Sequence, residues 1–133
     1  ENLNKRLQAR YRTLEKEEVR FEEIACEDAD YVFVAFGISA RVCQKAVEIA
    51  RSEGIKAGLL RPITLYPFPV EKIKELSNRV KGFTVIELSA GQMVEDVRLA
   101  VNGKVPVEFY GRMGGVVPSP NEAFNALKEK LIQ

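Results

Sequence analysis

The fold is decided by Asp30 to Pro62, DYVFVAFGISARVCQKAVEIARSEGIKAGLLRP. Tyr31 to Phe36 is an unbroken apolar run rich in β-branched and aromatic residues, and it stops at Gly37. A strand wet on one face would alternate; this one does not, so both its faces should be covered. Ile38, Val42, Cys43, Ala46, Val47, Ile49 and Ala50 then recur at helical spacing. Arg41, Lys45, Glu48 and Arg51 fill the opposite face. Gly54 stands where a helix C-cap belongs. Ala57 to Leu60 is a second short apolar run. Strand, helix and strand in this order predict a parallel pair with a right-handed crossover.

Asn2 to Lys16 carries Leu3, Leu7, Tyr11 and Leu14 on a narrow stripe and predicts a helix, either packed on the surface of its own domain or connecting from an upstream one; residues 1–18 are read as this N-terminal connecting helix and 19–133 as the domain. Val19 to Ile24 predicts an edge strand whose charges discourage pairing with other chains. Arg61 to Pro69 holds three prolines in nine residues, which favours an extended path. Pro69 suits the first turn of a helix with Val70, Ile73, Leu76 and Val80 inward. Phe83 to Leu88 is another apolar strand. Gln92 to Val101 is a helix buried through Met93, Val94, Val97 and Val101, and it ends at Asn102-Gly103. Val105 to Tyr110 is a short strand, placed at a sheet edge by Pro106. Ser119-Pro-Asn-Glu122 has the form of a capping box and opens a last helix with Phe124, Leu127 and Leu131 inward. The sum is a three-layer α/β/α domain with a mostly parallel five-stranded sheet.

The chain has 133 residues, a net charge of +1 and no long block of one sign, so neither nucleic acid nor an anionic membrane is a favoured partner. No apolar run reaches the ~20 residues of a membrane span. The chain opens on Glu1 rather than Met, which suggests a fragment, a processed product or an engineered domain. Histidine is absent, which removes the commonest general base and transition-metal ligand. Cys26 and Cys43 are too few for a zinc or iron–sulfur site of their own and fit a reducing compartment.

Ligands of open α/β sheets sit at the carboxyl ends of the strands. There the sequence offers Gly37-Ile-Ser39, Arg61-Pro62 and Ser89-Ala-Gly91-Gln92. Gly37 to Arg41 could present amides to a phosphate, yet it lacks both the dinucleotide fingerprint and the Walker lysine. Ser39 is favoured as a plain N-cap. Glu87 is either a shifted carboxylate or an ion-pair partner of Arg61 or Arg112, the pair being favoured. Ser39 and Ser89 have no base beside them in sequence. No complete catalytic constellation is present.

Several stretches resemble one family. They are Asp28-Ala-Asp30 with Val32 to Gly37 and Ser39-Ala-Arg41, Gly54 through the proline-rich run to Pro69, Glu87 to Arg98, and Pro106 to Arg112. Together they are similar to the α subunit of 2-oxoacid:ferredoxin oxidoreductases, in its transketolase C-terminal-like domain. Glu18 to Glu23 and Gly111 to Pro118 look most like the branched-chain, 2-ketoisovalerate type. The resemblance implies a mixed sheet of order 1-3-2-4-5 with strand 1 antiparallel. It implies an assembly and positioning domain, cytoplasmic, in an enzyme that cleaves a 2-oxoacid oxidatively. Thiamine diphosphate, Mg2+, CoA and iron–sulfur clusters would be held elsewhere in the complex, and none by this domain. Partners would be the β, γ and δ subunits and, through them, ferredoxin, with room for a homodimer. The candidate interface or ligand-facing residues are Gly37, Ser39, Arg61, Tyr66, Phe68, Glu87, Gly91, Gln92, Arg112 and Met113, with Val116 and Val117 adding apolar area. The competing reading is a free-standing module that binds a small anion or nucleotide at the Gly37 and Gly91 turns.

Overall fold

The computed structural model describes residues 12–16, 19–63, 68–87, 92–111 and 118–132. Among these residues, six strands and four α-helices follow one another as β1 (Arg12–Lys16), β2 (Val19–Ile24), β3 (Tyr31–Ala35), α1 (Ile38–Ser52), β4 (Ala57–Pro62), α2 (Val70–Ser77), β5 (Gly82–Glu87), α3 (Gln92–Val101), β6 (Val107–Gly111) and α4 (Pro120–Leu127). A π-helical turn, Lys128–Ile132, extends α4. The sheet order is β1-β2-β4-β3-β5-β6. β3 pairs parallel with both β4 and β5, and β5 parallel with β6; β2 runs antiparallel to β4. Counted from β2, this is the expected five-stranded order 1-3-2-4-5 with its first strand antiparallel.

The helix expected over residues 2–16 is corrected where it can be seen. Arg12–Lys16 is a strand paired antiparallel with β2, from Arg12↔Glu23 to Lys16↔Val19. Val19–Ile24 is therefore not an edge strand, and the boundary placed at residue 19 divides a β-hairpin. Residues 2–11 lie outside the described residues.

The pleat sorts the sheet into two cores. Phe33, Ala35, Leu59 and Ile86 face α1 and α4, meeting Ala40, Cys43, Ala46, Val47, Ala50, Phe124 and Leu127. Val32, Val34, Leu60, Phe83 and Val85 face α2 and α3, meeting Ile73, Leu76, Met93, Val94 and Val97. Adjacent residues of one strand thus serve opposite layers, which is why β3 carries no polar alternation. α1 closes with its Ile55 N–H on the Ala50 carbonyl and its Gly54 N–H on the Arg51 carbonyl, the two bonds of a Schellman end. α4 opens with the reciprocal capping box expected of Ser119 and Glu122.

Candidate functional site

β3, β4, β5 and β6 run in one direction, so their carboxyl ends and the turns that follow share one end of the sheet. The β3 end is formed by Phe36, Gly37 and Ile38. Gly37 has φ 65 and ψ −135, a conformation essentially restricted to glycine, and no atom would meet a Cβ there. The turn it makes leaves its neighbours outside the core: Phe36 is 44% exposed and Ile38 54%. Ile38 was expected on the buried face of α1. It lies in the first turn, before the helix has descended over the sheet. Val70, also expected inward, is 36% exposed in the first turn of α2. The far end of α2 lies beside the β2–β3 turn, with the Lys81 N–H on the Asp30 carbonyl, so its first turn lies at this end of the sheet and three large apolar side chains are exposed here.

Ser39 does not cap α1. The N-cap is Gly37, without a side-chain cap bond, and Ser39 is a fully buried residue of the helix itself. Arg61 stands directly opposite Glu22 across the antiparallel β2–β4 pair and donates to its carboxylate at 2.9 Å. Glu87, buried at the end of β5, accepts from the Val94 backbone N–H at 3.1 Å. A carboxylate on the first-turn amides of α3 satisfies an orphan donor and complements the helix dipole. Phe68 is half-buried and packs on the core beneath α2 and α3. Gln92 begins α3. Tyr66, Gly91, Arg112 and Met113, together with Ser89, Val116 and Val117, lie outside the described residues.

The chemistry available here is limited. Ser39 is sealed in a helix, and Glu87 is engaged with a helix terminus. Both cysteines are free and buried, in cores on opposite faces of the sheet. Burial pushes the Cys26 thiol up to about 12 and raises Cys43 further, so neither is a thiolate at neutral pH. Among the described residues no group of three or more Cys, Asp or Glu could hold a metal ion. What this end does offer is exposed apolar area beside fixed, partnered charges.

At the other end of the strands is a cluster that the sequence pattern concealed. The turn between β2 and β3 is gripped by two guanidinium groups. Arg51 donates to the carbonyls of Ala57 at 2.8 Å and Ala25 at 2.9 Å, and to the Asp28 carboxylate at 2.8 Å. Arg79 donates to the carbonyls of Cys26 and Glu27. On the helical wheel Arg51 falls on the wet face; its role depends on a turn that comes close only in the folded chain. A third long-range link is the Lys72–Glu23 pair at 3.3 Å, which ties α2 to β2 with both side chains nearly buried.

This architecture agrees with what known proteins show. The family model for pyruvate:ferredoxin oxidoreductase core domain II matches residues 29–123. The ketoisovalerate oxidoreductase subunit VorB of Methanothermobacter thermautotrophicus is 47% identical over 97% of this chain, which covers 36% of that subunit. The 2-oxoglutarate synthase subunit KorA of Methanothermobacter marburgensis is 34% identical over 76% of this chain and 27% of its own. The chain thus spans about a third of the length of these relatives. Among solved structures, a 2-oxoglutarate:ferredoxin oxidoreductase from Magnetococcus marinus, bound to 2-oxoglutarate, coenzyme A and succinyl-CoA, superposes with a TM-score of 0.71. It is 26% identical, over 82% of this chain and 19% of that one. A split-gene transketolase, an inactive beta4 tetramer, shares the fold at a TM-score of 0.68 and 18% identity, over 77% of this chain and 38% of that one. The chain belongs to the pyruvate:ferredoxin oxidoreductase core domain II family.

Proposed function

We propose that this chain is the assembly and positioning domain of a 2-oxoacid:ferredoxin oxidoreductase of the ketoisovalerate type. The observation that carries this reading is the 47% identity to a ketoisovalerate oxidoreductase subunit across 97% of the chain. In it, the carboxyl ends of the parallel strands are the face turned to the rest of the enzyme. Phe36, Ile38 and Val70 supply contact area there. Arg61 and Glu87, held by Glu22 and by α3, keep the strand ends rigid.

The whole enzyme in this reading oxidatively decarboxylates a branched 2-oxoacid, forms an acyl-CoA and sends electrons to ferredoxin. Thiamine diphosphate with Mg2+, CoA and the iron–sulfur clusters are assigned to its other domains and subunits. The donor set here does not fit a cluster, since two protonated thiols in separate cores cannot converge on one ion. Two free buried cysteines suit a reducing, cytoplasmic setting, and no helix of the described residues is long and apolar enough to cross a membrane. The test is reconstitution. Adding this chain to the remaining parts of the enzyme should restore 2-oxoacid-dependent reduction of ferredoxin, while the chain alone turns nothing over. Turnover by the chain alone, or full activity of the remainder without it, would overturn the reading.

A further inference from the structure

β6 closes the sheet on the side away from β1, and its outer edge is engaged. The Phe83 N–H donates to the Pro106 carbonyl, so the backbone of Pro106, Glu108 and Tyr110 turns toward β5. By the alternation of a strand, Val107, Phe109 and Gly111 point their N–H and C=O groups outward. Two of those outward carbonyls are taken by cations. Arg98, from α3 on one face of the sheet, donates to the Val107 carbonyl at 3.1 Å. Lys130, from the π-helical turn beyond α4 on the other face, donates to the Phe109 carbonyl at 2.8 Å. The edge is clasped from both sides.

We propose that Arg98 and Lys130 guard this edge against strand addition by a second copy of the chain. An incoming strand must donate N–H groups to the carbonyls of Val107 and Phe109, and each of these acceptors already holds a charge-assisted bond from a cationic side chain. The occupant held off is β6 of another copy, antiparallel about a two-fold axis. Registered on Phe109, that pairing sets Phe109 opposite Phe109, Val107 opposite Gly111 and Glu108 opposite Tyr110. It is self-complementary, as an isologous contact requires, and opposes no like charges.

The experiment is sedimentation velocity of the chain over a concentration series, with amide hydrogen exchange on the same samples. The Arg98→Ala/Lys130→Ala variant should self-associate at least about tenfold more strongly than wild type. Its Val107, Phe109 and Gly111 amides should gain protection as concentration rises. An Arg41→Ala/Lys45→Ala variant, losing the same charge from the exposed face of α1, should behave as wild type, and Arg98→Lys should keep the edge closed. Should the double variant melt early, Lys130→Ala alone, on an exposed terminal turn, carries the same readout. Unchanged association, or association without protection of those three amides, overturns the proposal. Equal association by the α1 control overturns it as well.

Discussion

Gly58 shows how a single missing methyl group can be a condition of the fold. A Cβ at this position would stand 2.9 Å from the Ala25 carbonyl oxygen and 3.1 Å from the Cys26 Cα. Both are backbone atoms of the turn that Arg51 and Arg79 hold in place, and Ala25 itself sits at φ 57. The turn cannot retreat without breaking those bonds. Gly58→Ala should therefore destabilise the chain by about 1–3 kcal/mol, the usual cost of overpacking, measured as the shift of the urea midpoint at constant slope. The cysteines make a second prediction at this scale. Because burial raises both thiols in the folded state, the folded chain holds more protons than the unfolded chain above about pH 9. Their contribution to stability is full at neutral pH and is lost as pH rises toward 12. Denaturation at pH 7 and at pH 10 should show this loss, and Cys43→Ala should lessen it. In the native state near neutral pH, iodoacetamide should label neither thiol. Neither Gly58 nor the Arg51 grip was legible in the sequence, since both roles depend on a turn that approaches from more than twenty residues away.

At the scale of elements, the caps illustrate which features local sequence specifies. The Ser119 box closes as its spacing requires, with the Glu122 N–H on Ser119 Oγ at 3.1 Å and the Ser119 N–H on Glu122 Oε1 at 2.7 Å. Ser119→Ala should cost about 1 kcal/mol, seen as a lowered Tm. The cap of α3 is different in kind, because its acceptor, Glu87, comes from the preceding strand. Sequence chemistry gives a buried carboxylate two readings, shifted acid or ion pair, and a helix terminus in space supplies a third. β1 escaped for a related reason. Leu14 completes an apolar helical spacing begun at Leu3, and over five residues the periods of helix and strand are hard to separate. The register with β2 settles the matter, placing Glu15 opposite Arg20 and Arg12 opposite Glu23. By contrast β3, α1 and β4 were legible at once, because burial on both faces leaves an apolar run that few other arrangements tolerate.

For the whole molecule, the sheet order and both helical layers follow from the alternation of strands and helices and from the right-handed crossover. The face proposed to turn toward the rest of the enzyme was less legible. Its position at the carboxyl ends follows from topology, but the exposure of Phe36, Ile38 and Val70 does not, because hydropathy alone assigns such residues to the core. This face is proposed as a docking surface. The most direct measurement is the affinity of the chain for the remaining parts of the oxidoreductase, wild type against Phe36→Ser/Ile38→Ser, with the thermal melting of each chain alone as control. Burying two such side chains is worth about 1.5–3 kcal/mol each, so the variant should bind about a hundredfold more weakly or worse while melting as wild type does. Equal affinity for the two chains would contradict the account.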